Sequence, residues 1–152
     1  MAVTLTGCSV KYTFSGASIP PAAKTVSIAY FPNNAAMVAP ILSSTLTEAL
    51  QDRFSRQTRL QLVNENGDLA FEGEIINYTS TTASVSSNEQ AVLNRLTITV
   101  RVRFTNVYEP ENNLSNKTFT AFADYESTQL LQSVEGTLIP EIVDQLVDDI
   151  FN

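Results

Sequence analysis

The stretch Leu96-Thr97-Ile98-Thr99-Val100-Arg101-Val102-Arg103-Phe104 alternates without a fault. Leu96, Ile98, Val100, Val102 and Phe104 fall on one face, and Thr97, Thr99, Arg101 and Arg103 on the other. A period of two with β-branched and aromatic residues is a strand with one dry face and one wet face. Working outward, Lys117 to Glu126 reads as a second strand, after the loop Glu109-Pro110-Glu111-Asn112-Asn113. Upstream, Lys24 to Phe31 alternates through Val26, Ile28 and Tyr30, and Pro32-Asn33-Asn34 stops it. Arg59–Val63, the turn Asn64-Glu65-Asn66-Gly67 and Asp68 to about Tyr78 read as a hairpin, because Asn-Gly supplies positive φ angles. Residues 79–90 are small and polar, either a wide loop or the exposed ends of two long strands.

Two segments change period. Across 36–58, Leu42, Leu46, Leu50 and Phe54 recur every four residues, with Pro40 suited to a first turn and Arg53, Arg56 and Arg59 towards the C-terminal end. Across 127–152, Leu131, Val134, Leu138, Ile142, Leu146 and Ile150 form a second apolar stripe. Gly136 and Pro140 are expected to kink or break it. Striped helices need an apolar surface, and one-sided strands provide it. The expected fold is α+β, a two-layer sandwich with two helices packed on one face of a mixed or antiparallel sheet and the other face open to solvent.

Composition narrows the chemistry. The 152 residues include no His and one Cys, which excludes Ser-His-Asp and Cys-His catalysis, His-containing zinc sites and internal disulfides. Nine basic against sixteen acidic residues give a net charge of −7, a poor match for nucleic acid. No metal or cofactor is implied, and no apolar run reaches the roughly 18 residues needed to span a bilayer.

The most specific short signal is Leu5-Thr6-Gly7-Cys8-Ser9. A Leu, two small residues and then Cys form a bacterial lipobox, in which the thiol takes acyl chains that anchor the protein without a spanning helix. The apolar stretch before Cys8 is shorter than a signal peptide's apolar region of about 7–15 residues. Residues 1–8 therefore read as the remnant of a longer lipoprotein signal, leaving this chain itself unlipidated. Residues 9–23, with Pro20-Pro21, read as a tether, and 24–152 as one domain. Cys8 is the candidate lipidation site.

With this order of elements, the chain resembles the LptE family of lipopolysaccharide-assembly outer-membrane lipoproteins, in its Bacteroidetes-type branch. The resemblance is carried by LTGCSVKYTFSGASIPPAAKTVSIAYFPNNA, the helix PILSSTLTEALQDRF, the strand GDLAFEGEI and the terminal ESTQLLQSVEGTLIPEIVDQLVDDIFN. It implies a lipid-anchored protein on the periplasmic face of the outer membrane that is not an enzyme. Its expected role is to plug an LptD-type β-barrel and help deliver lipopolysaccharide to the outer leaflet.

Arg95, Arg101 and Arg103, with Lys117 nearby, read as a basic stripe on the open sheet face and are the candidates for lipopolysaccharide contact. Arginine suits bidentate phosphate recognition. The competing reading is a cross-strand ladder with Glu72 and Glu74. A glycosidase role for those two glutamates is disfavoured by their i, i+2 spacing on one strand and by the absence of a pocket signal, and no catalytic residue is assigned. Glu141, Asp144 and Asp148 recur at helical spacing as a docking face, a cation site or a solvated face. The alternative to the barrel plug is a free-standing surface lipoprotein that binds a glycan or a secreted protein.

Overall fold

The β-branched and helical periods sort the chain as expected, and the surprise lies in how the strands connect. The computed structural model describes residues 19–85 and 92–151. In order these form β1 (Thr25–Ile28), α1 (Leu42–Gln57), β2 (Gln61–Val63), β3 (Leu69–Val85), β4 (Val92–Asn106), β5 (Leu114–Glu126) and α2 (Leu131–Phe151). The five strands make one mixed sheet in the order β2-β1-β3-β4-β5. Strands β3, β4 and β5 are an antiparallel meander, whereas β1 runs parallel to both β2 and β3.

The expected hairpin between Arg59 and Tyr78 does not form. Strand β1 lies between β2 and β3, and all three run the same way. Residues 64–68 instead carry the chain directly over β1. Asn66 does take the positive φ foreseen for the turn, at 57°. Gly67 serves a different need: a Cβ there would stand 2.4 Å from the Ser27 backbone nitrogen and 2.7 Å from the Val26 carbonyl carbon. The Gly67 N–H donates to the Ser27 hydroxyl at 3.0 Å and the Asp68 N–H to the Thr25 hydroxyl at 2.9 Å. In return the Asp68 carboxylate accepts from the Lys24 N–H at 2.8 Å and the Thr25 N–H at 3.3 Å. The Lys24 N–H bond is the main reason that the Asp68 carboxyl lies below its ordinary value of 3.8.

Both helices cover one sheet face. Leu42, Leu46, Leu50 and Phe54 of α1 are fully buried, as their spacing requires. The helix starts at Leu42, so Pro40 precedes it and does not occupy its first turn. Phe54 meets Phe71 of β3 at 4.9 Å between centroids and Phe151 of α2 at 5.2 Å. Arg53 bridges the two helices through Asp148 at 2.7 Å and Asp144 at 3.7 Å. Helix α2 runs unbroken through Gly136 and Pro140. Proline removes the N–H that would bond the Gly136 carbonyl, but both residues are exposed and water can take that carbonyl.

Residues 79–85 belong to β3, in agreement with the long-strand reading, and 86–91 lie outside the described residues. Cys8 and residues 9–18 of the expected tether also lie outside them. The last five residues of that tether are packed: Ile19, Pro20 and Ala23 are buried, and the Arg59 guanidinium donates to the carbonyls of Pro20 at 2.8 Å and Ala23 at 2.5 Å.

Two glycine substitutions separate these effects. Gly67→Ala forces backbone to move and is expected to cost about 3 kcal/mol or more, the upper range for overpacking. Gly136→Ala meets open space and is expected to stabilise by about 0.5–1 kcal/mol. Urea denaturation of the two variants beside the parent measures both signs.

Candidate functional site

The uncovered sheet face is the candidate site, and strand alternation selects its side chains. Because Leu96, Ile98, Val100, Val102 and Phe104 are buried under the helices, Arg95, Thr97, Thr99, Arg101 and Arg103 must point the other way. Their neighbours on the open side include Glu72, Glu74, Asn77, Thr79 and Thr81 of β3 and Thr118, Thr120, Phe122 and Asp124 of β5. This is a broad hydroxyl-rich surface, with Thr99 and Thr120 sharing a hydrogen bond at 3.0 Å.

Arg101 and Arg103 stand together on it, Arg95 lies six residues away along the same strand, and each has a carboxylate. Register places Arg103 opposite Glu72 and Arg101 opposite Glu74. The closest N···O distances are 3.4 Å and 2.9 Å. Glu74 also accepts from the Asn34 side chain at 2.6 Å. Arg95 grips Asp124 with two bonds, 2.8 Å and 3.2 Å, and its guanidinium lies 3.9 Å from the centroid of the Phe122 ring. The hydrogen bonds from Arg95 hold the Asp124 carboxyl below its ordinary value and raise that of Arg95 itself. The ladder foreseen as the competing reading is therefore built, and it extends to Asp124, whose pairing across to β5 the sequence reading missed. Once the strands are aligned, Asp124 falls opposite Arg95; without that register no spacing rule links them.

Lys117 is not part of this stripe. It pairs with Val102, a core-facing residue, and so belongs to the helix-side face, where its ammonium lies 5.1 Å from the Phe119 ring centroid. Its side follows from regular alternation with Phe119, Ala121 and Ala123; the bulge lies just before it, where Phe104 faces Leu114 and Asn116 takes a φ of 64°. Asn116 lines, with Pro32, Gly73, Glu74, Arg101 and Arg103, a shallow hollow of about 330 Å³ on the open face. A second hollow of about 240 Å³ lies beside the crossing loop, between Asn64, Glu65, Asn66, Glu72 and Thr105.

The acidic set on α2 divides. Asp144 and Asp148 turn to Arg53, while Glu141 is exposed. On the helix side, the buried Tyr78 donates from its hydroxyl to Glu135 at 2.8 Å, and Ser80 meets the Tyr125 hydroxyl at 2.5 Å. Burial, then the Glu135 carboxylate, pushes the Tyr78 phenol well above its ordinary value. No helix among the described residues is long and apolar enough to cross a membrane.

The Arg95–Asp124 pair gives a measurable pH effect. A carboxyl depressed in the folded state stabilises fully above its ordinary value of 3.8, and that contribution is lost as pH falls through the depressed folded value. Arg95→Ala is expected to bring Asp124 back to the ordinary range in an NMR titration. An unmoved Asp124 titration would show that Arg95 is not what holds it.

Solved structures share this arrangement. A minor lipoprotein from Acinetobacter baumannii is 18% identical with a TM-score of 0.51, over 85% of this chain and 90% of that one. A hypothetical protein from Chlamydia trachomatis is 11% identical with a TM-score of 0.59, over 85% and 94%. A protein from Xanthomonas campestris is 12% identical with a TM-score of 0.57, over 88% and 86%. At such identities these likenesses establish the fold. No curated protein matches the sequence. The family described as LptE, lipopolysaccharide-assembly, matches residues 23–152, from the end of the expected tether to the end of α2 and one residue beyond; the chain belongs to the LptE family of lipopolysaccharide-assembly lipoproteins.

Proposed function

We propose that this chain is a non-catalytic outer-membrane lipoprotein, anchored through Cys8 at the periplasmic face. In this reading it fills the lumen of an LptD-type β-barrel that inserts lipopolysaccharide. The observation that carries it is the family match over residues 23–152, since it covers both helices and every strand of the described sheet. The surface chemistry supports it. Lumens of large outer-membrane barrels are polar, and the open face offers threonines and neutralised ion pairs rather than an apolar patch. Such a face can lie against a wet wall without burying an unpaired charge.

Lipopolysaccharide contact at Arg95, Arg101 and Arg103 would set a phosphate beside carboxylates already in place. Arg101 and Arg103 each turn one nitrogen to Glu74 or Glu72 and keep further N–H donors for a phosphate, whereas Arg95 commits two nitrogens to Asp124. A phosphate that carries more charge and accepts bidentately can compete for pairs this exposed. Lys117, on the other face and at the start of β5, would contribute only from the sheet edge.

Mild detergent extraction of the natural, acylated protein from its own membranes is expected to co-purify a stoichiometric barrel of large mass. If the lipoprotein comes out alone, the free-standing glycan- or protein-binding reading takes its place. Charge reversal by Arg101→Glu and Arg103→Glu together is expected to weaken lipopolysaccharide binding about tenfold, whereas unchanged affinity would retire the arginine contact and leave the barrel role standing.

A further inference from the structure

The crossing loop carries a reactive pair that neither the sheet nor the open face uses. Of the five glycines in the chain, Gly67 alone follows an asparagine. In such a pair the side-chain amide carbon comes within reach of the next backbone nitrogen, and glycine has no side chain to shield that nitrogen. Once the nitrogen has lost its proton to water, it attacks the amide carbon. A five-membered succinimide closes, the bond from that carbon to Nδ2 breaks, and Nδ2 leaves as ammonia. Water then opens the ring at one of its two carbonyls, giving aspartate or isoaspartate. The reaction needs no catalyst and no reagent other than water.

Asn66 is exposed, but the nitrogen it must meet is not. Gly67 is buried, and its N–H donates to the Ser27 hydroxyl at 3.0 Å. Ser27 is itself only 5% exposed. Ring closure also requires the peptide unit between Asn66 and Gly67 to turn towards the Asn66 side chain. The chain is fixed just beyond that unit, since the Asp68 N–H donates to the Thr25 hydroxyl at 2.9 Å. Nor is there room to turn inward, because even a methyl group on Gly67 would stand 2.4 Å from the Ser27 nitrogen and 2.7 Å from the Leu69 carbonyl oxygen. The close passage over β1 therefore withholds the nucleophile.

We propose that Asn66 is a site of spontaneous deamidation gated by the Ser27–Gly67 hydrogen bond, closed while residues 64–68 lie on β1 and reactive whenever they lift off. Local opening of this kind ties the rate of conversion to the fraction of time the crossing is open. Its effect on the fold is one-way. Isoaspartate adds one carbon to the main chain, and it brings a negative charge to a loop that already holds Glu65 and Asp68. A five-residue connection pressed onto β1 has no slack for the extra atom, so a chain converted while open does not re-form the crossing. Asn66 thus marks those copies whose β1–β3 register has been lost.

Peptide mapping by mass spectrometry, with the isoaspartyl and aspartyl products separated by chromatography, follows the conversion. The full 152-residue chain, folded at mildly alkaline pH, is expected to keep Asn66 intact over a period in which the same chain in guanidinium chloride converts it. Ser27→Ala removes the acceptor of the Gly67 N–H and is expected to speed conversion in the folded chain about tenfold, the change in opening that loss of one buried hydrogen bond gives. Hydrogen exchange at the Gly67 amide of the parent, across sub-denaturing guanidinium chloride, is expected to rise in step with conversion. That measurement stands even where Ser27→Ala does not fold. Among copies that have converted, mass-resolved hydrogen exchange is expected to find native protection of the Leu69 amide lost. Four results overturn the proposal: no conversion in guanidinium chloride, equal rates in folded and unfolded chains, a Ser27→Ala chain that is folded by circular dichroism yet converts at the parent's rate, or conversion that does not follow Gly67 exchange. Isoaspartyl copies with native protection at Leu69 overturn the one-way mark. None of these measurements involves a barrel or lipopolysaccharide, so the tests of those above are unaffected.

Discussion

The close passage of residues 64–68 over β1 is the constraint on which the sheet depends. A five-residue connection between two parallel strands that flank a third has no room for a helix, so it must lie on the backbone it crosses. Gly67 permits that contact, because any Cβ would sit inside the van der Waals radius of β1. Asp68 and Thr25 then lock it by exchanging side-chain-to-backbone hydrogen bonds in both directions. The immediate result is the position of Leu69 beside Val26, and from that register the alternation of β3, β4 and β5 follows without further choice. A one-residue slip would turn Glu72 and Glu74 into the core and Phe71 and Ile75 out of it.

That register also decides the electrostatics of the open face. Directly opposite placement turns three arginines and three carboxylates into a ladder instead of a basic patch. Exposed pairs of this kind contribute little to stability. Their effect is to cancel the local field, so the face presents hydroxyls and paired ions. The surplus negative charge accumulates elsewhere, notably on α2, which has no basic residue and draws Arg53 across from α1. The molecule is thus acidic on its helical side and locally neutral on its sheet side.

The fold class was legible because periodicity reports burial, and burial here is nearly one-sided in every element. Leu42 to Phe54 and Leu96 to Phe104 needed no tertiary information. The strand order was not legible. Asn64-Glu65-Asn66-Gly67 carries the composition of a tight hairpin turn, and the competing explanation of Gly67, a backbone passing beneath it, exists only once β1 is in place. Pro140 misled for a related reason: its penalty depends on whether the freed carbonyl is buried, and sequence alone does not tell that. At the candidate site, the pairing of Arg101 and Arg103 with Glu72 and Glu74 was readable as charge opposed to charge on outward positions. The exclusion of Lys117 was readable too, since it alternates with Phe119, Ala121 and Ala123 on the helix-side face of β5, whereas the arginines take the opposite face.

The open face and the bare stretch of β3 have a common origin in unequal strand lengths. β1 has four residues and β3 seventeen, so one short parallel neighbour can cover only the first part of the long strand. The extended residues 29–34 continue that cover to Ile75 and then turn away through residues 35–41 into α1, which is held back against this segment by the Phe31 N–H donating to the Thr47 hydroxyl at 3.1 Å and by Leu42 in the core. With both helices engaged on one side of the sheet, no further helix or strand among the described residues closes the other face or extends the edge. A chain of this size could have guarded both with lysines or a third helix. Here the face is neutralised by paired charges, and the edge stretch Asn77–Thr82 is kept short by the irregularities on either side of it, at Ile75/Asn77 and Thr82/Ser84.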